Sequence, residues 1–184
     1  MRKLLFVIFI LITNIAFAQK DTIGLNIPIS NGKVIYERVF KTPGKSKSEL
    51  YNNAQTWFIE HYNGARNIEI NDTTMGRLVG RGKEIVNFKG PLGVLMPFDN
   101  RLTIQIDCKD SVYRCRIFNM RLSYPKTTTT DDIDTNPEEM VSILTGKSGV
   151  LNKNQARRML ESLNITINDT MLSLYKNMTE KDDF

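Results

Sequence analysis

Two alternating segments joined by a short polar turn constrain the fold of this chain more than any other feature. They are RLTIQIDC, from Arg101, and VYRCRIFNMRLSY, from Val112. One alternate set in each is apolar: Leu102, Ile104, Ile106 and Cys108, then Tyr113, Cys115 and Ile117. Because side chains on a strand point alternately to opposite faces, the pattern predicts an antiparallel hairpin turning at Lys109-Asp110-Ser111. One face of this hairpin lies in a core and the other is solvated.

The segments before the hairpin predict an α+β fold. KVIYERVF (33–40), NIEIND (67–72) and TMGRLVGRGKEIVNF (74–88) predict three strands. Between the first two, apolar residues recur at helical spacing: Leu50, Ala54, Trp57, Phe58 and Tyr62. This spacing predicts one amphipathic helix that ends near Gly64. The expected architecture is an antiparallel β-sheet with that helix packed across it.

The C-terminal third has a different pattern. PKTTTTDDIDTNPEE (125–139) is polar and low in complexity, which predicts a linker over 125–136. Two helical patterns follow, the first on Ala156, Met159, Leu160 and Leu163 and the second on Met171, Leu174, Tyr175 and Met178. Asn168 and Asp169 are expected to cap the break between them. The predicted organisation is a leader at 1–18, an α+β domain at 19–124, the linker, and a helical segment at 137–184.

The first eighteen residues, MRKLLFVIFILITNIAFA, have the pattern of a secretory signal peptide. Arg2 and Lys3 precede a short apolar run, and Ala16-Phe17-Ala18 forms a cleavage site. The run is shorter than the ~20 residues of a spanning helix, which makes an uncleaved anchor the weaker alternative. We therefore expect a mature chain from Gln19, exported to the periplasm or cell envelope.

The charge of the chain gives little support for nucleic-acid binding. The whole sequence has 25 basic and 20 acidic residues, a net charge of +5. Removing the leader removes Arg2 and Lys3 and lowers this already modest excess. No nucleic-acid partner is expected.

The segment TPGKSKSEL (42–50) resembles a phosphate-binding loop only superficially. A P-loop needs a glycine five residues before its Gly-Lys-Ser, and this chain has Val39 there. Ser46 and Glu49 instead fit a helix capping box, in which each side chain accepts from the other's amide. The segment therefore predicts a strand-to-helix connector.

A basic stripe is the first candidate binding feature. Arg77, Arg81 and Lys83 share one face of the third strand, and Arg114 and Arg116 lie on the solvated face of the hairpin. Together they are candidates for binding an anionic glycan or a lipid headgroup. The alternative is an ordinary solvated face whose charges discourage edge pairing.

An apolar row is the second candidate. By simple alternation, Phe118, Met120 and Leu122 continue on the face of Arg114 and Arg116. Apolar side chains on a solvated face need a cover. The C-terminal helices are one candidate cover, and a bound ligand or partner is the other.

The remaining reactive residues predict no catalytic or metal site. Cys108 and Cys115 are expected on one face of adjacent strands, where either a disulfide or two buried thiols are consistent with export. Their spacing, without a nearby histidine, is a poor zinc signature. His61, the only histidine, is interpreted as an ordinary residue at the end of the first helix. No catalytic residue and no cofactor are predicted.

Several motifs together resemble a known family. IPISNGKVIYERVFKTPGKSKSELYNNAQTWF, GRLVGRG and IDCKDSVYRCRIFN, within 27–122, are similar to an exported bacterial family of unknown function. The resemblance implies a TBP-like fold, a helix on a curved antiparallel sheet as in the TATA-binding protein. It implies no catalytic residue, and a likeness in shape does not imply DNA binding. The C-terminal helices lie outside it.

These observations favour a non-enzymatic module of the bacterial envelope that binds a ligand or a partner. The basic stripe and the apolar row are its candidate sites. The alternative is a structural or assembly protein that docks another envelope protein through its C-terminal helices.

Overall fold

The computed structural model describes residues 24–90, 93–125 and 132–179, so the predicted signal peptide lies outside the described residues. The strands are β1 (Ile29–Ser30), β2 (Lys33–Val34), β3 (Tyr36–Lys41), β4 (Ile68–Asp72), β5 (Arg77–Lys89), β6 (Leu95–Lys109), β7 (Val112–Tyr124) and β8 (Ile133–Thr135). The helices are α1 (Lys47–His61), α2 (Pro137–Leu144) and α3 (Lys153–Thr179), with a short 3-10 turn at Ala65–Asn67.

The main sheet is antiparallel and six-stranded, with the order β3-β7-β6-β5-β4 and with β8 paired to β7. β1 and β2 form a separate two-stranded ribbon. Helix α1 packs against β5 and β6, α3 packs against α1 and β5, and α2 packs against α3. The expected α+β fold, with a helix across an antiparallel sheet, is confirmed.

One hydrophobic core lies between the sheet and the helices. Its fully buried side chains come from α1, from the sheet and from α3, and include Phe58, Phe98, Ile104, Ile117 and Leu163. On the opposite face of the sheet, the side chains of β5 are exposed or half-buried. The sheet therefore has one covered face and one open face. No helix within the described ranges combines the length and apolarity needed to cross a lipid bilayer.

The connector before α1 holds the hairpin turn in place. Ser46 Oγ accepts from the Glu49 amide at 3.2 Å, and Glu49 Oε2 accepts from the Ser46 amide at 2.7 Å, which confirms the capping box. The Thr42 amide donates to the Ser111 carbonyl at 2.9 Å, and the Ser111 amide donates to the Lys45 carbonyl at 2.8 Å. Ser111 has a φ of 61°, a left-handed conformation usually given to glycine. These backbone bonds from the connector hold it there.

Two glycines of β5 let α1 approach the sheet closely. A Cβ on Gly80 would lie 2.3 Å from Phe58 Cζ, and one on Gly82 would lie 2.6 Å from the ring of Tyr62. Both distances are shorter than any real van der Waals contact. Only a residue without a side chain fits at these positions.

A β-bulge in β7 overturns the predicted apolar row. Thr103 pairs with Phe118 but Arg101 pairs with Arg121, so Leu102 alone faces two residues of β7. Asn119 takes a left-handed φ of 53° at this point. The extra residue reverses the alternation, so Met120 and Leu122 turn into the core while Phe118 stays on the open face. The prediction that all three share the face of Arg114 and Arg116 is therefore wrong.

The C-terminal part is also more integrated than its sequence suggests. Ile133–Thr135, inside the predicted linker, forms β8 and pairs with β7. The two predicted helices are one continuous helix, α3. Asn168, which was expected to cap a break between them, lies inside this helix. Its side chain donates to the Asn164 carbonyl at 2.7 Å and accepts from Arg38 at 3.2 Å. The prediction of a linker at 125–136 is wrong for its described part, and the break at Asn168 is absent.

Cys108 and Cys115 are both free and buried. Cys108 lies opposite Tyr113 and Cys115 lies opposite Ile106, so the two thiols are not directly across from each other. Burial raises the pKa of each thiol to about 12. Of the two alternatives for these residues, the structure has the buried thiols.

Replacing Gly80 by alanine is expected to destabilise the fold by about 1–3 kcal/mol, because the new methyl group overlaps the ring of Phe58. The measurement is urea unfolding at equilibrium. Gly90→Ala is the matched control, since its Cβ would meet the flexible Sδ of Met96 at 2.8 Å. An equal loss of unfolding free energy in both variants would contradict the close approach of α1.

A thiol assay on unreduced protein is expected to find two reactive thiols after denaturation and slow reaction in the native state. The native thiols are buried and protonated at neutral pH because of their raised pKa. Detection of no thiol in the denatured, unreduced chain would contradict this result.

Candidate functional site

Among the basic side chains on the open face of the sheet, seven from β5, β6 and β7 lie near one another in cross-strand rows. In register, Arg77 lies opposite Asp107 and Asp107 opposite Arg114. Further along the strands, Lys83 lies opposite Arg101 and Arg101 opposite Arg121. The other two are Arg81 and Arg116. The two ends of this face differ in how far the charges are neutralised.

Asp107 neutralises the first end. Its carboxylate accepts from Arg77 Nε at 2.6 Å, from Arg114 Nη2 at 2.7 Å and from Gln105 Nε2 at 2.8 Å. Burial opposes ionisation of this carboxyl, but the bonds from Arg114, Arg77 and Gln105 outweigh burial and lower its pKa. Arg77 and Arg114 are thus engaged within the protein.

The neighbouring bases are also paired, with one exception. Arg116 Nε lies 2.9 Å from Glu37, Arg81 Nε lies 2.6 Å from Glu69, and Lys83 Nζ lies 3.0 Å from Asp99. Arg121 makes a bidentate pair with Asp134, with both bonds at 2.7 Å. Among the described carboxylates, none lies within 4.0 Å of a side-chain nitrogen of the exposed Arg101.

A cleft of about 880 Å³ lies at this second end. Its basic lining consists of Arg81, Lys83, Arg101 and Arg121. The end of α1 contributes His61 and Tyr62 to one side, and Phe118 and Thr103 form part of the sheet side. The ring of Phe118 is half-buried and lies 5.6 Å from the guanidinium carbon of Arg116. The cleft offers cationic donors beside an aromatic surface.

The structure places the site residues predicted from the sequence in different parts of the molecule. Arg81, Lys83 and Phe118 line the cleft, whereas Arg77, Arg114 and Arg116 do not. All five basic residues among them are ion-paired. Met120 and Leu122 are buried on the covered face, 4% and 0% exposed, where a ligand on the open face cannot reach them.

Two basic residues of the cleft, Arg101 and Arg121, were not predicted from the sequence. Arg101 could have been found from its alternation with Thr103, but Arg121 joins that face only through the bulge.

A polar network behind the cleft joins α1, β5 and α3. Glu84 Oε1 accepts from Tyr62 Oη at 2.6 Å and from Thr170 Oγ1 at 3.1 Å, and lies 3.1 Å from His61 Nε2. Burial disfavours the charge on Glu84, but the bonds from His61, Tyr62 and Thr170 prevail and lower its pKa. An ionised carboxylate thus ties both helices to the sheet.

This network supports structure better than catalysis. His61 lies at the end of α1, as expected, with its ring stacked on Trp57 at 4.8 Å and one nitrogen engaged by Glu84. Ser173, the hydroxyl near Trp57, accepts from the indole nitrogen at 3.1 Å. The thiols are buried on the core side and protonated at neutral pH. Nucleophilic catalysis needs an activated nucleophile beside a base. Here Ser173 and His61 are engaged by Trp57 and Glu84, and both thiols are buried and protonated.

Fold and site together define an α+β module with helices on one sheet face and a basic cleft that is lined by open-face side chains and by the end of α1. Residues 36–123 match the family model "Domain of unknown function (DUF4468) with TBP-like fold". These residues therefore form a domain of that family, and the resemblance noted in the sequence is confirmed for both family and fold. The function of the family is unknown.

Two solved structures share this fold. A DUF4468 family protein from Bacteroides ovatus is 19% identical, with a TM-score of 0.65, and the alignment covers 86% of this chain and 93% of that one. A TBP-like protein from Parabacteroides distasonis is 17% identical, with a TM-score of 0.61 and coverages of 81% and 97%. At such identities the likeness shows the fold alone. No curated protein matches the chain.

Replacing Glu84 by glutamine is expected to cost about 1–3 kcal/mol of stability at neutral pH, because its three hydrogen bonds lose their charge assistance. The folded pKa of Glu84 is lowered, so its contribution is complete above the unfolded value of about 4.3 and is lost as pH falls through the folded pKa. Urea unfolding at decreasing pH measures the difference between wild type and variant.

That difference should shrink as the solution becomes acidic. Glu60→Gln is the matched control, because Glu60 is exposed on the same helix. A difference that stays constant or grows at acid pH would show that Glu84 is not held ionised by this network.

Proposed function

We propose that this chain is a non-enzymatic binding module that holds an anionic group of its ligand in the cleft on the open sheet face. Lys83, Arg101 and Arg121 donate from one cross-strand row. Arg81 and Phe118 complete the surface. The observation that carries the proposal is Arg101, an exposed guanidinium between two bases, with no described carboxylate within 4.0 Å.

Electrostatics favours an anionic ligand at this point. Unlike charges on directly opposite strand residues stabilise a sheet, and like charges destabilise it. Arg101 has a basic neighbour on each side, Lys83 and Arg121. The nearby carboxylates, Asp99 two residues along β6 and Asp134 on β8, pair with Lys83 and Arg121 rather than with Arg101. A phosphate, sulfate or carboxylate bound to Arg101 would relieve this repulsion and accept two parallel bonds from the guanidinium.

We further propose that the module acts in the cell envelope after export. The support is the N-terminal segment MRKLLFVIFILITNIAFA, with its basic start, apolar run and Ala-Phe-Ala end. Anionic glycans and lipid headgroups are the acidic ligands that such a location offers.

Docking of another protein through the C-terminal helices has less support. Helix α3 buries nine of its residues against the rest of the chain: Ala156, Met159, Leu160, Leu163, Ile167, Thr170, Met171, Leu174 and Met178. Because these residues are buried in the core, only the outer surface of α3 is available to a partner.

Reversing the charge of Arg101 tests the proposed site. Arg101→Glu is expected to weaken binding of tripolyphosphate or an oligogalacturonate about ten- to a hundredfold, because charge-assisted hydrogen bonds are lost. Titration calorimetry at low ionic strength measures the affinities. Arg158→Glu, the same change at an exposed site on α3, is the control and should leave them unchanged.

Either of two results would overturn the proposal. The first is that the unaltered chain binds neither anion. The second is that Arg101→Glu and Arg158→Glu weaken binding equally, since that would report net charge rather than a site.

A further inference from the structure

The open face continues past the basic row into a cluster of exposed apolar side chains. This apolar end consists of Ile85 on β5 and of Leu95 and Pro97 on β6, and the exposed Val94 precedes β6. Ile85, Val94 and Leu95 are 46%, 61% and 59% exposed. Isolated exposed aliphatic residues are common, but a cluster at one end of a strand pair marks an interaction surface.

Register shows that these side chains are not displaced core residues. Val86, Phe88 and Phe98 project to the covered face and are at most 3% exposed. Their neighbours Ile85, Leu95 and Pro97 must then project to the open face. Lys89 lies opposite Leu95, and Asn87 lies opposite Pro97. The apolar end therefore belongs to the same surface as the cleft.

Basic side chains border the apolar end on both sides. Lys89 lies opposite Leu95, and the Lys83–Arg101 pair lies one row beyond Ile85 and Asp99. Both Lys89 and Arg101 are exposed, and no described carboxylate lies within 4.0 Å of either side chain. Two acidic residues, Asp99 and Asp134, lie in the cross-strand row of Ile85. Asp99 pairs with Lys83 at 3.0 Å, and Asp134 pairs with Arg121 at 2.7 Å.

From this arrangement we infer that the apolar end of the open face rests on an anionic lipid membrane. Ile85, Leu95 and Pro97 enter the boundary between headgroups and acyl chains. Lys83, Lys89 and Arg101 contact lipid phosphates. This inference rests on the proposed function and specifies its ligand, since the lipid phosphate is the anion held by Arg101.

Charge complementarity favours a membrane over a protein partner as the occupant. Each basic residue near an anionic surface raises membrane partitioning about fivefold, and apolar side chains inserted at the interface add to this. Protein interfaces are depleted of lysine in their central area, whereas here two lysines flank the apolar residues directly. A peripheral contact of this kind needs no spanning helix.

The experiment is co-sedimentation of the chain from Gln19 onward with vesicles of phosphatidylcholine alone or mixed equally with phosphatidylglycerol. We expect binding to the anionic vesicles and at least tenfold weaker binding to the neutral ones. Ile85→Thr with Leu95→Thr should lower the partition coefficient about tenfold or more, and threonine keeps the β-propensity of both strands. Lys89→Glu should lower it more than tenfold, because two units of charge change.

Matched controls lie on α3, on the other side of the sheet. Ile165→Thr with Leu172→Thr alters two aliphatic residues that are 63% and 49% exposed, and Lys176→Glu repeats the charge change. These variants should partition like the unaltered chain. Thermal unfolding midpoints, measured alongside, show that every variant folds.

A second measurement does not depend on removing side chains. The chain has a single tryptophan, Trp57, which is 4% exposed. A Leu95→Trp variant should lose part of its fluorescence on vesicles with brominated acyl chains, while an Ile165→Trp variant should not.

Several results would overturn the inference. They are absence of binding to anionic vesicles, equal loss in the apolar-end and α3 variants, absence of quenching at residue 95, or a dimer in solution that Leu95→Thr abolishes. If soluble anions bind at Arg101 and the vesicles do not, the proposed function stands and the membrane inference fails. If vesicles bind through Leu95 while Arg101→Glu has no effect on any anion, the membrane contact stands alone and the anion site fails.

Discussion

The extra residue at Asn119 keeps one face of the sheet apolar along its whole length, and the remaining structure depends on this continuity. Without the bulge, Met120 and Leu122 would project to the open face and Arg121 would enter the core. Because the side-chain period of a strand is two, a single inserted residue exchanges the faces of everything beyond it. The bulge thus completes the core under the helices and, at the same time, adds Arg121 to the cleft.

The covered face is organised by two different kinds of contact. Gly80 and Gly82 set the distance of α1 from the sheet, since a Cβ on either would overlap Phe58 or Tyr62. Glu84, two residues further along β5, then supplies an ionised carboxylate that joins Tyr62 of α1's end to Thr170 of α3. Steric fit and a charge-assisted network therefore act at neighbouring positions of one strand. The contacts that hold the helices therefore lie on the covered face and not on the open face.

The two ends of the open face differ in charge. Basic side chains at one end are neutralised by ion pairs, whereas the other end is cationic and apolar. Asp107 binds Arg77 and Arg114 at one end, whereas Arg101 and Lys89 have no described carboxylate within 4.0 Å at the other. Ion pairs on an exposed surface contribute little to stability, and unpaired cations beside exposed aliphatic residues contribute none. We propose that this end meets a surface that is anionic and partly apolar. A membrane surface has both properties.

Much of this protein follows from its sequence by itself, because the deciding forces there are local. Alternation in 101–108 and 112–117 determined the hairpin and its buried side, and Ser46 with Glu49 determined where α1 begins, since side-chain direction and capping depend on near neighbours. Only the tertiary structure decided the rest. The bulge at Asn119, the strand Ile133–Thr135 and the continuous α3 arise from pairing and packing with residues distant in sequence. The partners of each arginine were decided in the same way: Asp107, Glu69 and Asp134 reach their cations only once the strands are in register.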